Sequence, residues 1–385
     1  MEELELVKCG VDLLEKYKEL FKGKRIGLIT SPSGVNQDMK STIEIFHENF
    51  NLTALFSPEH GVRGEFQAGE KVKGYVDERT GVKVYSLYGD TKKPTPEMLE
   101  EIDVLVIDVQ DVGSRYYTYL YTMAYAMEAC KENGKEFVVL DRPNPIGGLK
   151  VEGNILDTKF RSFVGWYPIP QRYGLTIGEL SHLFNKEFGI NCDLHVVKLE
   201  GWKRDMYYDE TGLLWVNPSP NISSLDAAVL YSGTCLFEGT NISEGRGTTR
   251  PFEIIGAPWI DPYKLADSMN KKGLKGVVFR PVYFIPSFSK HKGQLCKGVQ
   301  IHVKDRKAVD SVEVGIKLLY EIIRQSGENF EWLPPYGESN VYFIDLLAGT
   351  DELRLMKYDE DQLLDKWKRE SEEFKRLKES YHFYE

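Results

Sequence analysis

Short, continuous apolar runs alternate with segments of helical spacing through the first half of this chain. Residues 25–30 (RIGLIT), 52–56 (LTALF), 82–87, 104–109 (VLVIDV) and 137–140 (FVVL) read as strands buried on both faces. Between and after them, residues 11–21, 39–50, 116–130 and 176–188 carry apolar side chains at helical intervals, and a further strand is predicted near 194–199. That alternation leaves few options: a mostly parallel sheet with helices on both sides. In such a sheet the carboxyl ends of the strands share one edge, where ligands bind. Three of the runs end in polar clusters, PEHG, QDVGSRYY and DRPNP, which are expected to converge there.

The turn after the first strand, SPSGV, has neither GxGxxG nor a phosphate-loop lysine, so NAD and ATP are not expected and no cofactor is predicted. A length of 385 residues suggests two domains. The texture changes near Ser223, and the expected division is a Rossmann-like catalytic domain over 1–257 and a smaller α/β auxiliary domain over 258–385. A net charge of −10 with no Lys/Arg run argues against a nucleic-acid partner. No apolar stretch approaches the ~20 residues of a membrane span. The start, MEELELVKCG, lacks the features of a signal peptide, so the chain as it stands is expected in the cytoplasm, or outside it if a leader has been removed. Five scattered cysteines read as reduced, mostly buried thiols, and the dispersed histidines predict no metal site. The charged segment 358–377 reads as a solvated helix face.

Candidate chemistry concentrates in 55–70, LFSPEHGVRGEFQAGE. Pro58 suits a strand exit, and the interleaved glycines allow tight turns. Glu59 is the first candidate acid and Glu65 its rival or partner, with His60 and Arg63 beside them. In the second cluster Asp108 is expected to be buried, while Asp111, Gln110, Arg115 and Tyr116 are candidates for the site. Arg142 and Asn144 come from DRPNP, with an internal Asp141–Arg142 pair as the competing reading. Arg172 and Tyr173 precede a capping box, Thr176 to Glu179, that explains Glu179 structurally. The long segment EGTNISEGRGTTRPFE adds Glu238, Asn241, Glu244 and Arg246.

Taken together, SPEHGVRGE with QAGE, DVQDVGSRYYTY, LDRPNPIGG with VEG, RYGLTIGEL, and LFEGTNISEGRGTTRPFE with GAPW resemble the NamZ-type exo-β-N-acetylmuramidases. The resemblance runs in order from about Gly27 to Trp259 and continues more weakly to the C-terminus. It implies a Rossmann-like domain holding the site, a smaller C-terminal α/β domain, and release of N-acetylmuramic acid from non-reducing ends of peptidoglycan fragments. The family's catalytic glutamate maps to Glu59, with Glu65 second. Glycoside hydrolysis commonly uses two carboxyl groups, for which Glu59, Glu65, Asp111, Glu238 and Glu244 are available. An arginine is expected to hold the lactyl carboxylate, Arg63 first, with Arg172 and Arg246 as rivals. The competing reading is a non-catalytic binder of wall sugars or other anionic glycans.

Overall fold

The apolar runs do become neighbouring strands. The computed structural model describes residues 6–64, 66, 69, 74–335 and 340–385. After a 3-10 segment, Gly10–Leu20, the chain forms β1 (Ile26–Thr30), α1 (Thr42–Asn49), β2 (Leu52–Ser57), β3 (Tyr75–Val76), β4 (Lys83–Ser86), α2 (Pro96–Leu99) and β5 (Val104–Asp108). Then come α3 (Tyr119–Glu132), β6 (Glu136–Leu140), α4 (Ile177–Glu187) and β7 (Asp193–Val197). The sheet order is β3-β4-β2-β1-β5-β6-β7. All pairings are parallel except β3 with β4. β1 and β5 are buried along their whole length, as strands covered on both faces must be.

The chain moves outward from β1 to β2 and β4, then returns to the far side of β1 with β5. Such a reversal opens a crevice at the carboxyl edge, because the flanking connections leave in opposite directions. Local chemistry fixes the helices. Ser41 caps α1 by accepting from Glu44 N, and Thr176 and Glu179 close a reciprocal capping box on α4. The first predicted helix is instead the 3-10 segment, broken at Tyr17, where φ is −115° and ψ 16°.

The rest of the chain builds α5 (Leu225–Thr234), β8 (Ile254–Ala257), α6 (Pro262–Lys271), β9 (Val277–Phe284), β10 (Cys296–Val303), α7 (Ser311–Ser326), α8 (Phe343–Ala348) and α9 (Glu360–Glu379). Its sheet is antiparallel, in the order β8-β10-β9. The division expected after residue 257 would cut β8 from β10, its hydrogen-bonded neighbour, and α5 from α7, on which it packs. Both contacts stay intact if the chain is divided before α5 begins at Leu225. The largest apolar cluster crosses that line, joining Tyr116 and Leu120 to Tyr231, Leu236, Ile344 and Trp367. α9 is more than a charged surface: Leu363, Trp367, Phe374 and Lys378 are buried. All five cysteines are free and buried.

Candidate active site

A cavity of about 510 Å³ lies at the carboxyl edge of the large sheet, walled by both halves of the chain. The loop after β2 contributes Glu59, His60 and Gly69, the one after β4 Tyr88, and the one after β5 Tyr116, Tyr117 and Thr118. The second half contributes Tyr231 of α5, Glu238, Arg246, Phe252, Phe288 and Phe343. Tyr116, Tyr117, Tyr231 and Phe252 are buried and form an aromatic floor.

β2 delivers Glu59 to this cavity. Pro58 follows the last strand residue and ends the ladder, since it has no N–H to give. Glu59 Oε1 accepts from Gly69 N (3.0 Å) and Oε2 from Thr118 Oγ1 (2.7 Å), one residue before α3 begins. Burial, the Glu59 charge and a hydrogen bond to Glu59 together raise the Tyr88 phenol above its ordinary range. His60 holds a left-handed backbone, φ 76°, a conformation costly for a non-glycine residue and concentrated at functional sites. Its Nδ1 is 3.2 Å from the Phe66 carbonyl oxygen. A carbonyl can only accept, so Nδ1 carries the proton and Nε2 of the neutral ring is an acceptor. Burial lowers the His60 pKa against the opposing pull of Glu59.

The opposite wall is a chain of charges. Arg246 Nη2 donates to Glu238 Oε1 (3.0 Å), and its Nε is 3.2 Å from Glu244 Oε1. Lys290 pairs with Glu244 Oε2 at 2.7 Å. Burial would raise the Glu244 pKa, but Lys290 and Arg246 outweigh it and hold the carboxyl below its usual range. Burial likewise disfavours the Arg246 charge, and Glu238 and Glu244 more than restore it.

Of the residues the sequence nominated, Glu59, His60, Tyr116, Glu238 and Arg246 line the cavity, and Glu244 backs Arg246. Glu65 lies outside the described residues. The other described nominees do not line the cavity. Arg63 forms a two-pronged pair with Asp77 (2.9 and 3.0 Å) and does not line the cavity. Asp111 is buried behind the floor, accepting from Tyr173 Oη (2.6 Å) and Gly113 N, and burial raises its pKa to about 6. Gln110 donates to the carbonyls of Asp111 and Pro143, and Asn144 joins Leu175 O to Ile146 N. Arg142 pairs with Asp108 rather than with Asp141, and Arg172 pairs with Glu152. Arg115 is buried among backbone carbonyls, and Asn241 is tied to Asn329 O and Glu331 N. The DRPNP loop therefore does not reach the cavity, although PEHG and QDVGSRYY meet there.

Sequence reasoning passed over Tyr88, Thr118, Asn221, Tyr231 and Phe288. Tyr88 could have been found, because it follows a predicted strand on the functional edge. Phe288 and Tyr231 come from distant elements with no local signal. Among the described residues, one group could offer three metal donors, Glu136, Asp193 and His195. It sits at the opposite edge of the sheet, where β6 and β7 begin, and Lys24 already bonds Glu136.

Comparison with known proteins bears on what such a cavity does. A family described as exo-beta-N-acetylmuramidase NamZ, N-terminal, matches residues 26–226, and its C-terminal counterpart matches 229–384. The chain belongs to this family. The peptidoglycan beta-N-acetylmuramidase NamZ of Bacillus subtilis (strain 168) is 56% identical over 351 residues, which span 90% of this chain and 83% of that one. Two solved structures of DUF1343 family proteins from Bacteroides fragilis NCTC 9343 share the fold. One is 42% identical with a TM-score of 0.90, the other 32% identical with 0.78; each comparison covers 98% of this chain and 99% of the other.

Proposed function

We propose that the cavity is the catalytic centre of an exo-acting glycoside hydrolase that releases N-acetylmuramic acid from the non-reducing end of peptidoglycan fragments. Family membership and the similarity to a named peptidoglycan β-N-acetylmuramidase support the reaction. One observation carries the assignment of roles: the two cavity carboxyl groups have opposite surroundings. Glu59 bonds to neutral donors, Thr118, Gly69 N and Tyr88, whereas Glu238 bonds to the guanidinium of Arg246. A hydrolase of this kind needs one group that gives a proton to the leaving oxygen and one that acts as an anion. Glu59 is the proton donor. Glu238, paired with Arg246, activates the water or attacks the anomeric carbon. His60 Nε2 accepts a hydroxyl of the bound sugar.

The lactyl carboxylate distinguishes this sugar from N-acetylglucosamine and calls for a cation. Arg63 is engaged by Asp77, so that role passes to Arg246. Its contacts with the two glutamates use Nη2 and Nε, leaving Nη1 outside both.

Turnover of a chromogenic β-N-acetylmuramide, with nothing added, tests the reading. Glu59→Gln is expected to reduce turnover by orders of magnitude with an unchanged melting temperature. Tight binding without turnover by the wild type would instead make this a glycan-binding protein. Activity near wild type in the variant would remove Glu59 from the chemistry.

A further inference from the structure

The residues lining the cavity differ sharply in exposure, and that difference gives it a floor and a mouth. Most lining residues are buried or half-buried; Gly69, Phe288 and Ser289 are exposed. Among the described lining residues, Phe288, at 42% exposure, is the one aromatic open to solvent, whereas those of the floor are at 7% or less. Gly69 donates to Glu59, so the proposed acid stands close to the same opening.

An exposed phenylalanine on a hairpin loop would ordinarily move freely. This one is mounted rigidly. Lys290 Nζ, two residues on, donates to three backbone carbonyls, Phe237 (2.7 Å), Thr240 (3.0 Å) and Ile242 (2.7 Å). His291 Nε2 lies 2.7 Å from Asn241 O, and Ser287 bonds Gly247 O through both its N–H and its hydroxyl. Gly247 comes so close to this loop that a Cβ there would lie 2.7 Å from the Phe288 backbone. Ser289 and His291 are both left-handed, φ 66° and 55°, strain that persists where surrounding contacts fix it. The loop between β9 and β10 is thus clamped to the segment that carries Glu238 and Arg246, with its one exposed ring at the cavity mouth.

We propose that Phe288 is the stacking surface for the sugar on the leaving side of the scissile bond, the residue to which N-acetylmuramic acid is joined. This rests on the exo-hydrolase reading above. In an exo-acting enzyme the terminal sugar fills the closed end and the remainder of the glycan leaves through the mouth. The ring next to the scissile oxygen then lies near Glu59 and across the mouth aromatic. Sugar faces carry C–H groups that cover such a ring, and a platform already held in place loses little freedom on binding. Phe288 would act on glycans and be silent towards substrates lacking a second ring.

The test compares a disaccharide, N-acetylmuramic acid β-linked to N-acetylglucosamine, with the β-methyl glycoside of N-acetylmuramic acid. In Phe288→Ala, kcat/KM for the disaccharide is expected to fall roughly tenfold, the size of effect that covering part of an aromatic ring supports. The methyl glycoside should stay within about twofold, and inhibition by free N-acetylmuramic acid should be unchanged. Phe288→Tyr should restore the disaccharide rate. An unaffected disaccharide rate, or an equal fall on both substrates, overturns the platform while leaving the exo-hydrolase reading intact. If the wild type cleaves neither substrate, that reading falls first and the platform with it.

Discussion

Two arginines in glycine-rich loops show how a residue's role depends on a partner that local sequence does not name. Arg63 stands four residues after the proposed acid, and Arg246 nearly two hundred residues away. Asp77 folds back onto Arg63 with both oxygens and is itself further held by Thr80 N (3.0 Å) and Thr80 Oγ1 (2.7 Å). Nothing in the spacing of 63 and 77 announces that pairing. Arg246 reaches the cavity because its loop folds under the β9–β10 connection. Arg246→Lys keeps the charge but loses the planar fork. It is expected to lower kcat/KM for N-acetylmuramides by roughly ten- to a hundredfold, the range for one charged hydrogen bond, beyond any loss shared with matched N-acetylglucosaminides through its contact with Glu238. Arg63→Ala should slow both sugars equally or neither, with a lower melting temperature as its main effect. A selective loss in Arg63→Ala, or an unselective one in Arg246→Lys, would reverse the assignment. Glu59 was legible for a contrasting reason. A carboxylate directly after a buried strand and a proline has one place to go, whatever its partners.

Elements were legible where their own pattern decides them. Four continuous apolar runs, with the alternating run 82–87, form β1, β2, β4, β5 and β6 within a residue or two of their expected ends, and only β4 among the five leaves a residue, Lys83, exposed. The partner of β8 was not legible because four residues, IIGA, carry no sign of which sheet they join; the pairing with β10 decides that. α5 shows what such long-range packing demands. It crosses α7 at Gly233 and Gly315. A Cβ on Gly233 would lie 1.9 Å from Ser311 O, and one on Gly315 2.4 Å from Gly233. Neither contact is relieved by turning a side chain, since both sides are backbone. α5 also carries Tyr231 into the cavity floor, two residues before that crossing. Gly233→Ala should therefore cost roughly 3 kcal/mol of stability by overpacking. It should also lower activity below the unfolding temperature, because Tyr231 moves with the helix. Denaturant melts and kcat at 25 °C check the two effects. A variant with wild-type stability would mean that α5 and α7 can separate cheaply.

At the scale of the molecule the cavity exists only while the two halves stay together, so what joins them belongs to function. Arg115 is one such joint. It is fully buried, and its guanidinium faces carbonyls instead of a carboxylate: Asn154 (2.8 Å) and Ile169 (2.9 Å) in the first half, Leu347 (3.0 Å) and Ala348 (2.9 Å) in α8 of the second. Read in sequence, an arginine followed by two tyrosines in a polar cluster suggests an anion site; only the fold reveals that its ligands are backbone from both sides. Burial lowers its pKa against the weaker pull of Tyr116, Tyr121 and Glu370, and the four carbonyls supply the hydrogen bonds that water would otherwise give. Arg115→Met fills much of the same volume with no donors, and strands those carbonyls in the interior. Each unsatisfied buried acceptor costs about 1–3 kcal/mol, so a loss of at least ~3 kcal/mol is expected. The more telling measurement is where the loss appears. If Arg115 fastens the halves, hydrogen exchange should quicken first in α8 and around Asn154 and Ile169, while β1 and β5 stay protected. The KM for substrate should rise before any bulk unfolding, since Phe343, at the start of α8, lines the cavity. Uniform loss of protection would make Arg115 an ordinary core residue, and unchanged protection would show that the shared apolar cluster holds the halves together without it.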